Sequence, residues 1–489
     1  MNGQLLDSRR IHRDALLNAL ALGVSSAAGI VIVPILLHGL GATLFGVYAS
    51  AGALAAIVAI DFGLGTATAR EIAMGAGGAN EDAADFVSTA FALQMILAVA
   101  GSLLVVAIGY GLTIGGAVTA EARNDARLIV WLVAAAVAGD QITAAAASLL
   151  AGLRRFVFTN ALLITVAVFR VSGALVIVHR RSAIEAVMFF ALLSLTTAAI
   201  TVAYAASRDR IALLRPLSWS AVRARARFAG LAQLLQFTSK ANWQIAVPLV
   251  SSIRSAAAAA SVSVGQKFPL ATMALNWRAT EVLMPAASEG SALGGGDGVR
   301  RVIDTGTRGI SLLAMQPFIL FVVLAPSIIS IWTGAADSVA VDVLRLLAAA
   351  MLIDALAYPA SQALIAAGAM EPLVAAWSVA LVVNVVLSVA LQLVIGPAGA
   401  AWGVLAAIIV ATALILRGGA SRLAFSFGDV TRAMLPALVA SALSAAALLA
   451  LVRRRPPSSL LTLAVYAAAS TAVYAAAGAA AFAVRRRGE

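Results

Sequence analysis

The sequence predicts an all-α polytopic membrane protein with about 14 transmembrane helices, each an apolar run of roughly 20 residues. Of its 489 residues, 62% are hydrophobic and 11% charged, against roughly 25% charged in an ordinary soluble domain. The apolar runs follow one another almost end to end, leaving no room for a sizeable soluble domain. Arginines gather at the ends of those runs, as membrane topology requires. The net charge of +12 therefore reads as a membrane feature, and nucleic acid is not an expected partner.

Taken in order, hydropathy places a first series of spans near residues 15–37, 44–66, 86–110, 127–150, 157–178 and 184–206. A second series lies near 229–252, 262–285, 308–332, 342–366, 373–395, 398–416, 433–452 and 460–483. Arg9, Arg10 and Arg13 precede the first run as in a secretory signal. That run exceeds the roughly 7–15 residues of a signal core, so it reads as a retained helix. Alanine holds several segments together, notably 134–151 and 464–483. Small residues let helices approach closely in lipid.

Placing both termini in the cytoplasm puts about 21 arginines inside and about 8 outside, which satisfies the positive-inside rule. Arg453, Arg454 and Arg455 are the exception: either that hairpin is special or the last two helices lie elsewhere. The longest polar connection, 207–227, is strongly basic. It divides the chain into an N-terminal lobe (1–206), a cytoplasmic linker (207–228), a C-terminal lobe (229–416) and two additional helices (417–489). Residues 218–228 form either a basic amphipathic helix on the anionic leaflet or a solvated linker.

The sequence has no cysteine, which excludes disulfides and thiol chemistry, and no cofactor is expected. Its three histidines, His12, His38 and His179, are too far apart for a local metal motif and read as interfacial residues at helix ends.

The stretch 231–285 breaks the apolar rule. It reads as two spans yet carries Lys240, Lys267, Arg278 and Glu281. Charges at bilayer depth cost about 2.5–3.5 kcal/mol on insertion scales and usually face a protein interior or a wet cavity. At 100° per residue, Gln233, Gln236, Lys240 and Gln244 form one polar stripe, and Lys267 and Arg278 share a face of the next helix. Arginine grips phosphate through its planar fork, and lysine acts as a mobile point charge. The structural alternatives are concrete. Arg278 could pair with Glu281, Lys240 with Asp140, Asp354 or an amide, and Lys267 could snorkel to the interface. Pro248 and Pro269 should kink or interrupt their helices.

Other spans offer partners. Arg170 is the first-lobe candidate for substrate contact, or else an ion-pair partner of Asp140, which is followed by Gln141. Asp354 shares its span with Tyr358 and Gln362, while Asn384, Ser388 and Gln392 line one face of theirs. Asp61 should cap a turn or pair with Arg70 at the cytoplasmic mouth, and Asn18 should touch substrate or a neighbouring helix.

Several motifs occur in family-like order: Asn18, Pro34, Gly41-Ala-Thr-Leu-Phe-Gly46-Val-Tyr48, Asp61-Phe-Gly63-Leu-Gly65 and Ala69-Arg70-Glu71. Pro326-Ser-Ile-Ile-Ser-Ile-Trp332-Thr-Gly334 and Gly396-Pro-Ala-Gly399-Ala-Ala-Trp-Gly403 follow. Together they resemble the Wzx-type polysaccharide (O-antigen) flippases of the multidrug/oligosaccharidyl-lipid/polysaccharide exporter (MOP) superfamily. The resemblance implies two six-helix lobes around a cationic central cavity plus two C-terminal helices. It also implies alternating access that moves an undecaprenyl-diphosphate-linked oligosaccharide across the bacterial inner membrane. Its partners would be that lipid-linked substrate, the membrane, and the polymerase and glycosyltransferases of the same pathway. Residues 251–265 depart from the pattern, because this alanine and serine run lacks the aromatic-glycine signature of the first hairpin. Two further readings remain: a cation-coupled small-molecule exporter of the multidrug type, and a membrane-embedded polysaccharide polymerase. The first would favour acidic residues in the first lobe, the second acidic or histidine residues on long external loops.

Overall fold

The computed structural model describes residues 8–59, 61, 63–75, 81–114, 118–208, 218, 226–281, 283–423 and 426–486. Among them the backbone forms fifteen helices and no strand. The first six are α1 (Ser8–Val58), α2 (Leu64–Gly75), α3 (Glu81–Ile114), α4 (Arg123–Gly152), α5 (Phe156–Arg180) and α6 (Ala183–Arg208). Then come α7 (Ala226–Gln244), α8 (Ala246–Ile253), α9 (Ala256–Glu281), α10 (Leu283–Thr333) and α11 (Ser338–Ala366). The last four are α12 (Glu371–Ile395), α13 (Gly399–Leu423), α14 (Phe427–Arg454) and α15 (Leu460–Arg486). Most of the linker 207–228, and so the basic stretch within it, lies outside the described residues.

Among the described residues, ten helices are long and apolar enough to cross a membrane: α1, α3 to α6, α10 and α12 to α15. The chain is a multi-pass, all-α membrane protein. The remainder include α7, α9 and α11, which hold Lys240, Lys267, Arg278 and Asp354. Lys240 in α7, and Lys267 and Arg278 in α9, contribute to the lower apolarity of those two helices.

Three local features refine the expected spans. Gly41, with φ of 71°, is the one non-helical residue inside α1, so the first two spans meet there without a loop. The second ends at Val58, short of the expected 66, because the Asp61 motif is a turn. The Asp61 carboxylate accepts from the backbone N–H groups of Gly63 at 3.0 Å and Gly65 at 3.3 Å, starting α2. The expected span 229–252 breaks at Ile245, because Pro248 has no N–H for the Gln244 carbonyl and its ring crowds that turn. Pro269, by contrast, lies inside an unbroken α9. At the other end of the chain, α14 and α15 flank a short turn beside Arg453 to Arg455, as the hydropathy placed them. Basic residues in the last turn of α14 favour its negative dipole end.

The chain divides into two compact units: Met1–Phe237 with Arg254–Ala260, and Thr238–Ile253 with Ser261–Glu489. The core of the first joins Leu64 on α2, Phe86, Ala90 and Phe91 on α3, Ala146 and Leu150 on α4, and Ala205 on α6. Phe158 stacks on Tyr204 at 3.8 Å beside it. Gly46 of the first motif has a packing role, since a Cβ there would fall 1.7 Å from the carbonyl oxygen of Ala256. The core of the second unit comprises Ile310, Ala314, Ala355 and Tyr358, and a further cluster of Met315, Ala437, Ala440 and Tyr474. The latter cluster ties α14 and α15 to α10.

Candidate functional site

In the first unit, charge collects half-way along α4, α5 and α6. Gly139 sets up the arrangement: a Cβ on it would meet the carbonyl carbon of Ser194 at 2.6 Å, so α4 and α6 touch through backbone. Asp140 and Ser194 are thereby brought to the same guanidinium. Arg170 Nη2 donates to Ser194 Oγ at 2.7 Å and to Asp140 Oδ1 at 3.2 Å. The ion pair is open, with the Arg170 side chain 31% and the Asp140 side chain 56% exposed. Tyr48, from the first motif on α1, is close enough to interact electrostatically with both charges. Two donors beside the pair, Arg170 Nε and the Gln141 amide nitrogen, have no hydrogen-bond acceptor among the described residues. Arg170 Nε is buried, so any contact with an anion falls to the exposed part of the guanidinium, whose charge the Asp140 carboxylate holds in place.

The polar stripe of α7 does not act as one surface. Gln233 is buried, and its side-chain oxygen accepts from the Asp61 backbone N–H at 3.3 Å, so it belongs to the turn before α2. Gln236 and Lys240 are exposed and Gln244 is half-buried. Between the last two, Asn242 is fully buried in a knot of the second unit. Its amide donates to the carbonyls of Thr238 at 2.8 Å and Trp377 at 3.1 Å, and its own carbonyl accepts from Asn384 at 2.7 Å. Ser388 extends the knot by donating to Asn384 Oδ1 at 2.9 Å and the Ala400 carbonyl at 3.0 Å. The glycines of the 396–403 motif explain the packing: a Cβ on Gly403 would lie 2.2 Å from Ser388 Oγ. Asn384, Ser388 and Gln392 are all fully buried, so this face of α12 holds α13 and does not line open space.

On α9, Lys267 is half-buried and Arg278 exposed. Phe268, next to Lys267, packs against Phe321 at 5.9 Å and edge-on to Trp332 of the 326–334 motif at 4.8 Å. Trp277, next to Arg278, stands edge-on to Tyr358 at 5.1 Å, whose hydroxyl donates to the buried Asp354 carboxylate at 2.8 Å. Asp354 is thus held within α11 by its own helical neighbour. The side chain of Glu281 lies outside the described residues. Asn18 on α1 and Arg70 on α2 are both exposed. No cluster of three or more metal-ligating side chains occurs among the described residues.

Sequence reasoning did not single out Ser194, nor the seam of Gln316, Ser444 and Ser470. In that seam Ser444 donates to Gln316 Oε1 at 3.0 Å, and the Gln316 amide donates to Ser470 Oγ at 3.2 Å, joining α10, α14 and α15. Each is a small or neutral polar residue in an apolar helix. That is a usable signal, but it names no partner more than 100 residues away.

Packed membrane-length helices, with the Arg170–Asp140 pair half-way along those of the first unit, make this an integral-membrane protein. No family model and no curated protein matches the chain. Among solved structures it is similar to the lipid II flippase MurJ in an inward closed conformation. That likeness has a TM-score of 0.74 at 12% identity, covering 97% of this chain and 98% of the other. An inward-facing multidrug resistance MATE family transporter of the MOP superfamily matches with a TM-score of 0.67 at 15% identity, over 83% of this chain and 96% of its own. The eukaryotic MATE transporter AtDTX14 follows at 0.54 and 14% identity, over 88% and 99%. The fold is therefore the one these transporters share.

Proposed function

We propose that this protein is a flippase that translocates an undecaprenyl-diphosphate-linked oligosaccharide across the bacterial inner membrane by alternating access, for cell-surface polysaccharide synthesis. The observation that carries the reading is the Arg170 site, a guanidinium half-way along a spanning helix whose side chain is 31% exposed beside the Asp140 carboxylate. A diphosphate crossing the membrane needs such partners, since lipid cannot replace its hydration. Arg170 in the first unit, and Lys240, Lys267 and Arg278 in the second, are the groups we assign to diphosphate and acidic sugars. Gln236, Gln244 and Asn18 supply neutral polar contacts. Asp140, Asp354, Asp61, Arg70 and Glu281 are assigned to holding or gating. The lobes run 1–206 and 229–416, the additional helices 417–489, and both termini are cytoplasmic. The pathway's polymerase and glycosyltransferases are the expected partners.

The extent of the structural likeness supports this reading. The lipid II flippase fold covers nearly the whole chain, whereas the MATE structures leave 12–17% of it unmatched. One observation favours a cation-coupled exporter of the multidrug type instead: the Asp140 carboxylate is more than half exposed. Proteoliposomes loaded with labelled lipid-linked oligosaccharide in one leaflet separate the two. The flippase reading expects the intact lipid to reach the other leaflet; efflux of an organic cation with no lipid movement supports the exporter. Formation of a new glycosidic bond would exclude both.

A further inference from the structure

A groove of about 510 Å³ runs between α1 and α5 of the first unit, away from the Arg170 site. Pro34, Ile35, Leu175 and Val178 make its apolar walls, and His38 and His179 its polar lining. Its volume falls within the roughly 300–1,000 Å³ of ordinary ligand pockets. The local sequence builds it. Pro34 cannot donate the helical hydrogen bond to the residue four before it, which loosens α1 at that turn. Further along, Gly39 brings α1 against Val178 and Ala183, where a Cβ would fall within 2.8 Å of each, and closes one end.

The polar end coincides with the ends of both helical segments. His38 lies just before the α1 break at Gly41, and His179 and Arg180 form the last turn of α5. His38 Nδ1 lies 2.7 Å from the Pro34 carbonyl oxygen. That oxygen can only accept, so Nδ1 carries the hydrogen and the ring is fixed, and Nε2 can donate to a phosphate only from the doubly protonated ring. Arg181 offsets its charge on Glu185 at 3.5 Å, whereas Arg180 is exposed and has no ion-pair partner among the described residues. The apolar neighbours Leu175 and Val31 are 52% and 44% exposed.

We propose that this groove binds one anionic glycerophospholipid, with an acyl chain along Pro34, Ile35, Leu175 and Val178 and the phosphate at His38, His179 and Arg180. Charge complementarity selects the headgroup, as basic clusters at a membrane interface select anionic lipid. The site is independent of the transported substrate, and its test does not use transport.

Full-length protein is delipidated and titrated in neutral nanodiscs with phosphatidylglycerol or phosphatidylcholine of identical chains, with retained lipid read by native mass spectrometry. The wild type should retain phosphatidylglycerol in preference. The double variant His38→Ala, Arg180→Ala should bind it roughly fivefold to tenfold more weakly. Leu175→Trp, at a half-exposed position, should reduce retention of both lipids by filling the groove. Free glycerol phosphate should not compete, because it lacks the chain. Equal retention of the two lipids by the wild type, or undiminished phosphatidylglycerol binding by a folded double variant, overturns the proposal. Displacement by glycerol phosphate at matching concentration also overturns it, in favour of a bare phosphate site.

Discussion

Two polar clusters sit half-way along spanning helices, one in each unit, and they are built to opposite specifications. Gln316, Ser444 and Ser470 are neutral, buried, and satisfy one another, with Ser444 Oγ and Ser470 Oγ 2.7 Å apart. Arg170 and Asp140 are charged, partly exposed, and leave donors unclaimed. Both lie in helices whose other faces are apolar. A sealed neutral seam fixes helix neighbours in lipid, where hydrophobicity alone does not distinguish one apolar face from another. An open charged pair does little for stability and is costly to place at that depth. A charge left open at that depth is the reason Arg170 is assigned to the substrate in the proposed function.

The largest expected effect comes from removing the open charge. Arg170→Ala takes away the guanidinium and leaves Asp140 without its tether. Losing a charge-assisted contact of roughly 1.5–3 kcal/mol predicts about a tenfold to hundredfold drop in lipid-linked sugar movement, with normal membrane insertion. Arg170→Lys keeps the charge but not the fork, so it should restore part of the rate. Full activity of the alanine variant in proteoliposomes would move the pair into the same structural class as the seam.

Next in size is Gly139→Val. Its side chain cannot fit where a Cβ already falls 2.6 Å from Ser194 backbone. Prising α4 from α6 should lower thermal stability in detergent and detach Ser194 from Arg170, so activity falls along with stability. Arg170→Ala should lower activity alone. If Gly139→Val leaves both unchanged, the α4–α6 contact does not position the site. Lys240→Ala and Arg278→Ala come third: each should impair export of surface polysaccharide in a deletion strain while the protein still inserts. Full complementation by both, at normal expression, would confine the cationic requirement to the first unit.

The same comparison explains what could be read from sequence. Apolar run length announced the helices, because crossing lipid leaves the backbone few alternatives. The charges in α7 and α9 were equally visible, since apolar surroundings make a lysine conspicuous. What each polar residue does depends on partners distant in sequence. Gln233 looked like part of the Lys240 stripe, yet it serves the Asp61 turn 172 residues away. Asn384 and Ser388 share one polar face, but Asn242 claims the first and Gly403 on α13 packs against the second. Periodicity gives the face a residue shares, and only packing decides whether that face is open.

The smallest effect tests the sealed half. Ser444→Ala removes only the hydroxyl that bonds Gln316 Oε1 and the Ser470 backbone carbonyl at 3.1 Å. Interhelical hydrogen bonds in membranes contribute on average about 0.6 kcal/mol and at most about 1.7 kcal/mol. A small decrease in thermal stability is therefore expected, with transport per folded molecule unchanged. Gln316→Leu with Ser444→Ala should lower stability further, because it takes both side-chain partners from the buried Ser470 hydroxyl. If Ser444→Ala instead abolishes transport while stability holds, the seam takes part in the cycle, and burial would no longer separate structural polarity from functional polarity in this fold.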